Sequence, residues 1–253
     1  MQSRPAQVPA RVKIIKEDLW RRLSVLDPSG IFQAHYGQTL DKFIGQKPSF
    51  AISRRQGYGR QEATDGKPTH ERVWIMFAVG GAGAQREIGH QILKSISNHI
   101  RTGRLGLILV AGIHDQIHNY FMEQIKKHRL LDYLDTGVKL IFADTKEDYF
   151  HKFNLALRET DILWTKPSEL SFYSALGLPI IIAPPIGSQE FFNKYWLEVI
   201  GAGIPQEVPT FAHEWLMDYL QNGWLAEAAL QGYLEAPRKG VENIKKIVFN
   251  TSS

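Results

Sequence analysis

Val73–Val79, VWIMFAV, is an unbroken apolar run that ends on Gly80-Gly81-Ala82-Gly83-Ala84. A run of that length and composition suits a strand covered on both faces. From Arg86 to Arg101 isoleucine recurs at positions 88, 92, 96 and 100, with Leu93 beside them, which is the spacing of an amphipathic helix. Strand, glycine turn and helix leave bare backbone N–H groups and a helix N-terminus facing one point, and a phosphate group suits that point. The same glycines also suit a tight strand-to-helix turn with no ligand.

The alternation continues. Apolar runs at Leu105–Val110, Val138–Ala143, Asp161–Thr165 and Pro179–Ala183 read as strands. Helical patterns follow them at Asp115–His128, Lys146–Glu159, Glu169–Leu176 and Gln189–Ile200. Strands separated by helices predict an α/β fold, a Rossmann-like doubly wound parallel sheet. Such sheets bind ligands beyond the carboxyl ends of their strands, where the strand order reverses. After Gly203 the sequence reads as helical to the end, through Phe211–Gln221, Trp224–Tyr233 and Arg238–Ile247. Before the first strand, Glu17–Leu26 and Ile31–Ile44 read as helices, joined by the capping turn Asp27-Pro28-Ser29-Gly30. Ser53–His70 is polar and glycine-rich and reads as a linker. The division expected is a helical lead-in and flexible linker over 1–71 and a nucleotide-binding domain with C-terminal helices over 72–253.

Composition narrows the chemistry. The chain of 253 residues contains no cysteine, which removes disulfides, thiolate catalysis and cysteine metal sites. No apolar run approaches the roughly 20 residues that span a bilayer, and the N-terminus lacks the apolar stretch of a signal peptide. The expectation is a soluble, cytoplasmic protein. Residues 1–71 carry 12 Lys/Arg against 7 Asp/Glu, while the rest carry 18 against 19. A basic lead-in on a near-neutral body reads as a solvated surface or linker, with no nucleic-acid partner, although it also suits peripheral contact with an acidic membrane face.

The loops at the strand ends carry the candidate chemistry. The glycine loop is not a Walker A loop, because no Gly-Lys-Ser/Thr follows. It fits a dinucleotide fingerprint poorly, since Arg86 stands at the third glycine position and the second strand ends in Ala111-Gly112-Ile113 rather than an acid. His114 and His118 have the spacing of a helical metal pair, but Asp115 stands where a metalloprotease needs Glu and no third ligand is evident. No metal is expected. Thr165-Lys166-Pro167-Ser168-Glu169 is good helix-start chemistry. Functionally, Lys166 suits a phosphate and Glu169 suits vicinal sugar hydroxyls. Gln189, Glu190 and Asn193, after the rigid Pro184-Pro185-Ile186-Gly187-Ser188, form a polyol-binding set or a plain helix start capped by Ser188.

Taken together, GGAGA, LILVAG, ADTKEDYFHKF, TDILWTKPSEL, ALGLPIIIAPP and GSQEFFNKYWLEVIGAG resemble the C-terminal domain of GT-B glycosyltransferases over residues 72–203. The likeness is to the group that holds the lipid II-forming N-acetylglucosaminyltransferase and the diacylglycerol sugar transferases. The resemblance implies a UDP-sugar as donor substrate and no further cofactor. It places Gly80, Gly81, Ala82, Gly83 and Lys166 at the diphosphate, Gly112, Phe142, Ser168 and Glu169 at the nucleoside, and Gln189, Glu190 and Asn193 at the sugar. The family's ribose-binding Glu lies five residues before the Gly of Gly-Leu-Pro. Here that position is Phe172, with Glu169 eight residues before Gly177.

GT-B enzymes carry an N-terminal Rossmann domain that binds the acceptor, and residues 1–71 cannot supply one. The chain is expected to be a part of a longer enzyme or a donor-binding subunit whose partner brings the acceptor half. The reaction expected is sugar transfer to a lipid or cell-envelope acceptor at the inner face of a membrane, with the catalytic base unassigned. The alternatives are a non-catalytic nucleotide-sugar-binding module and a UDP-sugar epimerase.

Overall fold

The computed structural model describes residues 18–45, 72–78, 85–168, 170–237 and 248. The order of elements is a helix over 18–26 (α1), α2 (Ile31–Ile44), β1 (Val73–Ala78), α3 (Arg86–Ser95), α4 (Ser97–Arg101), β2 (Leu105–Gly112), α5 (Asp115–Lys127), β3 (Val138–Phe142) and α6 (Lys146–Glu159). β4 (Ile162–Thr165), α7 (Leu170–Ala175), β5 (Ile180–Ile182), α8 (Ser188–Val199), β6 (Gly203–Pro205), α9 (Ala212–Gln221) and α10 (Trp224–Glu235) complete it. The Ser53–His70 linker and the Arg238–Ile247 helix expected from the sequence fall outside the described residues.

All six strands are parallel, in the order β3-β2-β1-β4-β5-β6. The unbroken apolar runs make sense here, because consecutive strand residues feed opposite faces of the sheet. Ile75 and Phe77 of β1 join a core with α1 to α5, α9 and α10, while Met76 between them joins a second core with α6, α7 and α8. Ile181 of β5 belongs to the first core and its neighbours Ile180 and Ile182 to the second. The doubly wound α/β fold expected from the sequence is the one observed.

Two local expectations are corrected. The segment after Gly203 is not wholly helical: Gly203–Pro205 pairs with β5 as the edge strand β6. The helix expected over Arg86–Arg101 is divided at Ile96, whose φ of −90° and ψ of 7° turn the chain slightly. The hydrogen-bond ladder still passes through the turn, with Ile96 N donating to Ile92 O and Ile100 N to Ile96 O, so the isoleucine stripe stays on one side.

The two N-terminal helices are fixed to this body. Ile31–Ile44 forms as read, with Asp27 accepting hydrogen bonds from Phe32 N at 3.1 Å and Gln33 N at 2.8 Å. Arg22 of α1 is buried and donates to the carbonyl oxygens of Thr160, Leu176 and Gly177. Loss of hydration lowers its guanidinium pKa to about 10. Among the described residues no helix is long and apolar enough to cross a membrane.

Candidate functional site at the carboxyl edge of the sheet

β1 is the first strand in sequence and stands third in the sheet, with β2 on one side and β4 on the other. The chain builds outward from β1 in one direction, then returns to its other flank, so the reversal falls between β1 and β4. Thr165 at the end of β4 donates its hydroxyl to Ala78 O at 2.6 Å and closes the sheet at that point. The crevice therefore opens above Ala78 and Thr165. Gly80, Gly81, Ala82 and Gly83, which follow β1, and Glu169, which follows β4, lie outside the described residues.

Gln85 is the first described residue after the glycine-rich stretch. It holds a left-handed backbone, φ 72° and ψ 16°, directly before α3. Its Nε2 donates to Pro184 O at 3.2 Å, tying the start of α3 to the loop after β5. Its Oε1 is buried and has no hydrogen-bond partner among the described residues. A buried acceptor of this kind is costly unless a donor reaches it. The sequence reading passed over Gln85; the signal was an amide immediately after a glycine-rich turn. Arg86 folds back instead, its guanidinium 4.7 Å from the ring centroid of Tyr120 and its Nε 3.3 Å from Glu87 Oε1.

The loop after β4 is held from α8. Lys166 is half-buried, Pro167 buried and Ser168 exposed. Ser168 N donates to Lys166 O at 2.8 Å. Asn193 Nδ2 then donates to Pro167 O at 2.9 Å and to Ser168 O at 3.2 Å. Glu190 Oε2 accepts from Ile186 N at 2.7 Å and closes the turn into α8. Ser188, expected as the cap, is instead the first helical residue, and Gly187 precedes the helix without a side-chain cap. Of the polyol set, Asn193 and Glu190 bind backbone, while Gln189 is exposed and makes no side-chain hydrogen bond among the described residues.

Gly112 and Phe142 lie on the other flank. They are register partners at the ends of β2 and β3, just past a bulge between Val110 and Gly112. Gly112 has φ +66°, a conformation that favours glycine and turns the chain over the sheet edge. The Phe142 ring packs against His118, with centroids 4.6 Å apart, and Lys152 Nζ donates to Phe142 O at 3.1 Å. Three strand steps of roughly 4.8 Å separate β3 from β4, so Phe142 and Lys166 stand about 14 Å apart along the edge. That span suits an extended nucleotide rather than a lone phosphate. His114 precedes α5, Asp115 occupies its first turn, and no group of three or more metal-ligating side chains occurs among the described residues.

Fold and site geometry define a Rossmann-like α/β domain whose crevice lies at the β1–β4 switch point. The fold is shared with solved structures. MurG from Acinetobacter baumannii matches at a TM-score of 0.55 and 13% identity, over 74% of this chain and 52% of that one. MnaA from S. aureus, solved with UDP, matches at a TM-score of 0.49 and 12% identity, over 88% and 54%. WaaG, a glycosyltransferase involved in lipopolysaccharide biosynthesis, matches at 0.47 and 14%, over 84% and 54%. The chain thus spans about half the length of the solved structures it matches. The GT-B-type fold expected from the sequence agrees with the likeness to MurG. A family described as "Domain of unknown function (DUF6938)" matches residues 59–136. No curated protein matches.

Proposed function

We propose that this chain is the donor-binding domain of a glycosyltransferase, that its donor is a UDP-sugar, and that the sugar goes to a lipid or cell-envelope acceptor. The observation that carries the reading is the convergence at the β1–β4 switch point of three tethered elements. These are the start of α3 through Gln85, the β4 loop through Pro167 and Ser168, and the start of α8 through Asn193. In this reading the glycine loop and Lys166 hold the diphosphate, and no metal or further cofactor takes part. Gly112, Phe142, Ser168 and Glu169 hold the nucleoside. The bound donor supplies the hydrogen that Gln85 Oε1 lacks. Gln189 reads the sugar, and Asn193 and Glu190 act through the loops they hold.

The acceptor half comes from another domain or a partner subunit. Phe191, Phe192, Tyr195 and Val199 of α8 and Ile186 before it are exposed, an apolar row beside the crevice that suits such a neighbour. The transfer step rests on positioning and on neutralising the departing diphosphate by loop amides and Lys166.

Calorimetric titration with UDP, ADP, GDP, UDP-N-acetylglucosamine, UDP-glucose and UDP-galactose tests the reading. UDP-selective binding that loses its sugar preference in Gln189→Ala is the expected result. A folded sample that binds none of the six overturns it. UDP binding without transfer, even with an acceptor half supplied, moves the assignment to a non-catalytic binding module. Turnover of the free UDP-sugar alone would mark an epimerase.

A further inference from the structure

A second cluster of polar groups lies away from the crevice, at the opposite end of α5. His90 of α3 and His128, the residue after α5, face each other with Nε2 atoms 3.0 Å apart and ring centroids 5.2 Å apart. α5 has 13 residues, so by its rise of ~1.5 Å per residue it sets the pair roughly 20 Å from the Gly112 loop.

The contact needs one ring to donate and the other to accept, so the pair holds at most one extra proton while it stands. Cations surround it. Lys94 of α3 and Lys127 of α5 act on both rings, Arg101 of α4 acts on His128, and Glu87 is the acid that acts on His90. Arg101 Nη2 also donates to His128 O at 2.7 Å. Lys94, Arg101 and Lys127 are exposed, and none forms an ion pair among the described residues. Glu87 is engaged by Arg86. The three cations lie in the last turns of their helices, where they complement the helix dipoles. A dipole end amounts to only about half a charge, so positive charge remains in excess.

We propose that Lys94, Lys127 and Arg101, gathered around the His90–His128 pair, form a binding site for a phosphate-bearing anion distinct from the crevice. The cations supply the attraction, and the exposed position admits the ligand without rearrangement. The anion also restores the proton affinity that the neighbouring lysines suppress, so its binding draws a proton onto the imidazole pair. The phosphate could be that of a small soluble anion or of a lipid headgroup, and the chemistry is the same for both.

The test is an NMR titration of the histidine ring signals against pH, with and without inorganic phosphate. Sulfate, a dianion throughout that pH range, serves as the constant-charge control. Phosphate and sulfate are expected to raise the titration midpoint of His90 and His128 by about half a pH unit. At fixed pH the ring signals of His35, away from both the cluster and the crevice, should not move when either anion is added. In the Lys94→Gln/Lys127→Gln variant binding should weaken about fivefold. Vesicles of phosphatidylglycerol in phosphatidylcholine, set against phosphatidylcholine alone, form the second arm. A response to the soluble anions supports the site with a small phosphate as ligand. Retention on the phosphatidylglycerol vesicles alone, lost in the double variant, supports it with a headgroup as ligand. No shift and no retention, or binding that ignores the two lysines, overturns it. Binding of a DNA oligonucleotide without response to either phosphate source overturns it in favour of a nucleic-acid surface.

Discussion

Arg21 Nη1 lies 2.6 Å from Asp161 Oδ1, and that contact joins α1 to the start of β4 across the sequence. Asp161 is fully buried, and its other oxygen accepts from Trp74 N of β1 at 2.8 Å. Burial pushes its pKa up, against the pull of Arg21, the Trp74 amide and Arg22. One carboxylate thus ties the N-terminal helix to two neighbouring strands directly below the crevice.

The two sides of this pair should respond unequally to mutation. Arg21→Gln leaves a buried carboxylate without its partner and is expected to cost about 3 kcal/mol. Asp161→Asn keeps an acceptor for Trp74 N, and Arg21, whose side chain is 17% exposed, can turn to water. That change should cost about 1 kcal/mol. Urea unfolding of both variants decides the matter, and the reverse order would show that the pair is not held by desolvation.

Gly89 of α3 is a second point where the sheet admits no change. A Cβ placed there would stand 2.8 Å from ring atoms of Phe77 and 2.9 Å from Phe121, both fully buried. Alanine is the better helix former by ~1 kcal/mol. Overpacking against two rings that cannot retreat outweighs it, so Gly89→Ala should destabilise by about 2 kcal/mol net. An unchanged or higher melting temperature would refute the close packing of α3 on β1.

At the crevice, ligand binding and stability should separate. Gln85→Leu removes one hydrogen bond to Pro184 O but also removes a buried acceptor with no partner among the described residues. Apo stability is expected to stay within about 1 kcal/mol, while donor affinity falls roughly tenfold. Asn193→Ala frees the Pro167 and Ser168 carbonyls and should also weaken the donor, with less effect on sugar preference than Gln189→Ala. Calorimetry on the three variants checks this. Equal donor affinity in Gln85→Leu and wild type would mean that Gln85 Oε1 never meets the ligand.

These contacts show which parts of the molecule were legible in the sequence. Strands such as Val73–Ala78 and Leu105–Gly112 announce themselves because both faces are buried, so the apolar run has no polar interruption. β6 does not. It is three residues long, ends in Pro205 at the sheet edge, and owes its conformation to pairing with β5. Local sequence holds no record of that pairing. The site was legible as loops but not as side-chain roles. Asn193 and Gln189 share a helix face in the sequence, yet only the position of the β4 loop turns Asn193 inward onto Pro167 O. The Arg22 bonds to Thr160, Leu176 and Gly177 span well over a hundred residues, beyond any periodicity argument.

Stability should depend on pH through the histidines at the end of α5. His90 and His128 are both held below the ordinary imidazole value, first by loss of hydration. Lys127 and Lys94 push His90 down further; for His128 the neighbouring ring acts, then the same lysines and Arg101. A base whose folded pKa is lowered takes up protons more readily when unfolded, across the interval between the two values. Its contribution is therefore complete above the ordinary pKa of ~6.5 and fades as pH falls through that value toward the folded one. Unfolding by urea should become easier from about pH 7.5 to 5.5, and His90→Gln/His128→Gln should flatten that slope. The flattening is partial, because His99, held down by its own burial and by Arg104, acts with the same sign. Saturating sulfate, whose charge does not change over this range, should flatten the wild-type slope as well, since an anion beside Lys94 and Lys127 raises the folded pKa toward the unfolded one. A slope identical in wild type and double variant would place the pH sensitivity elsewhere in the chain.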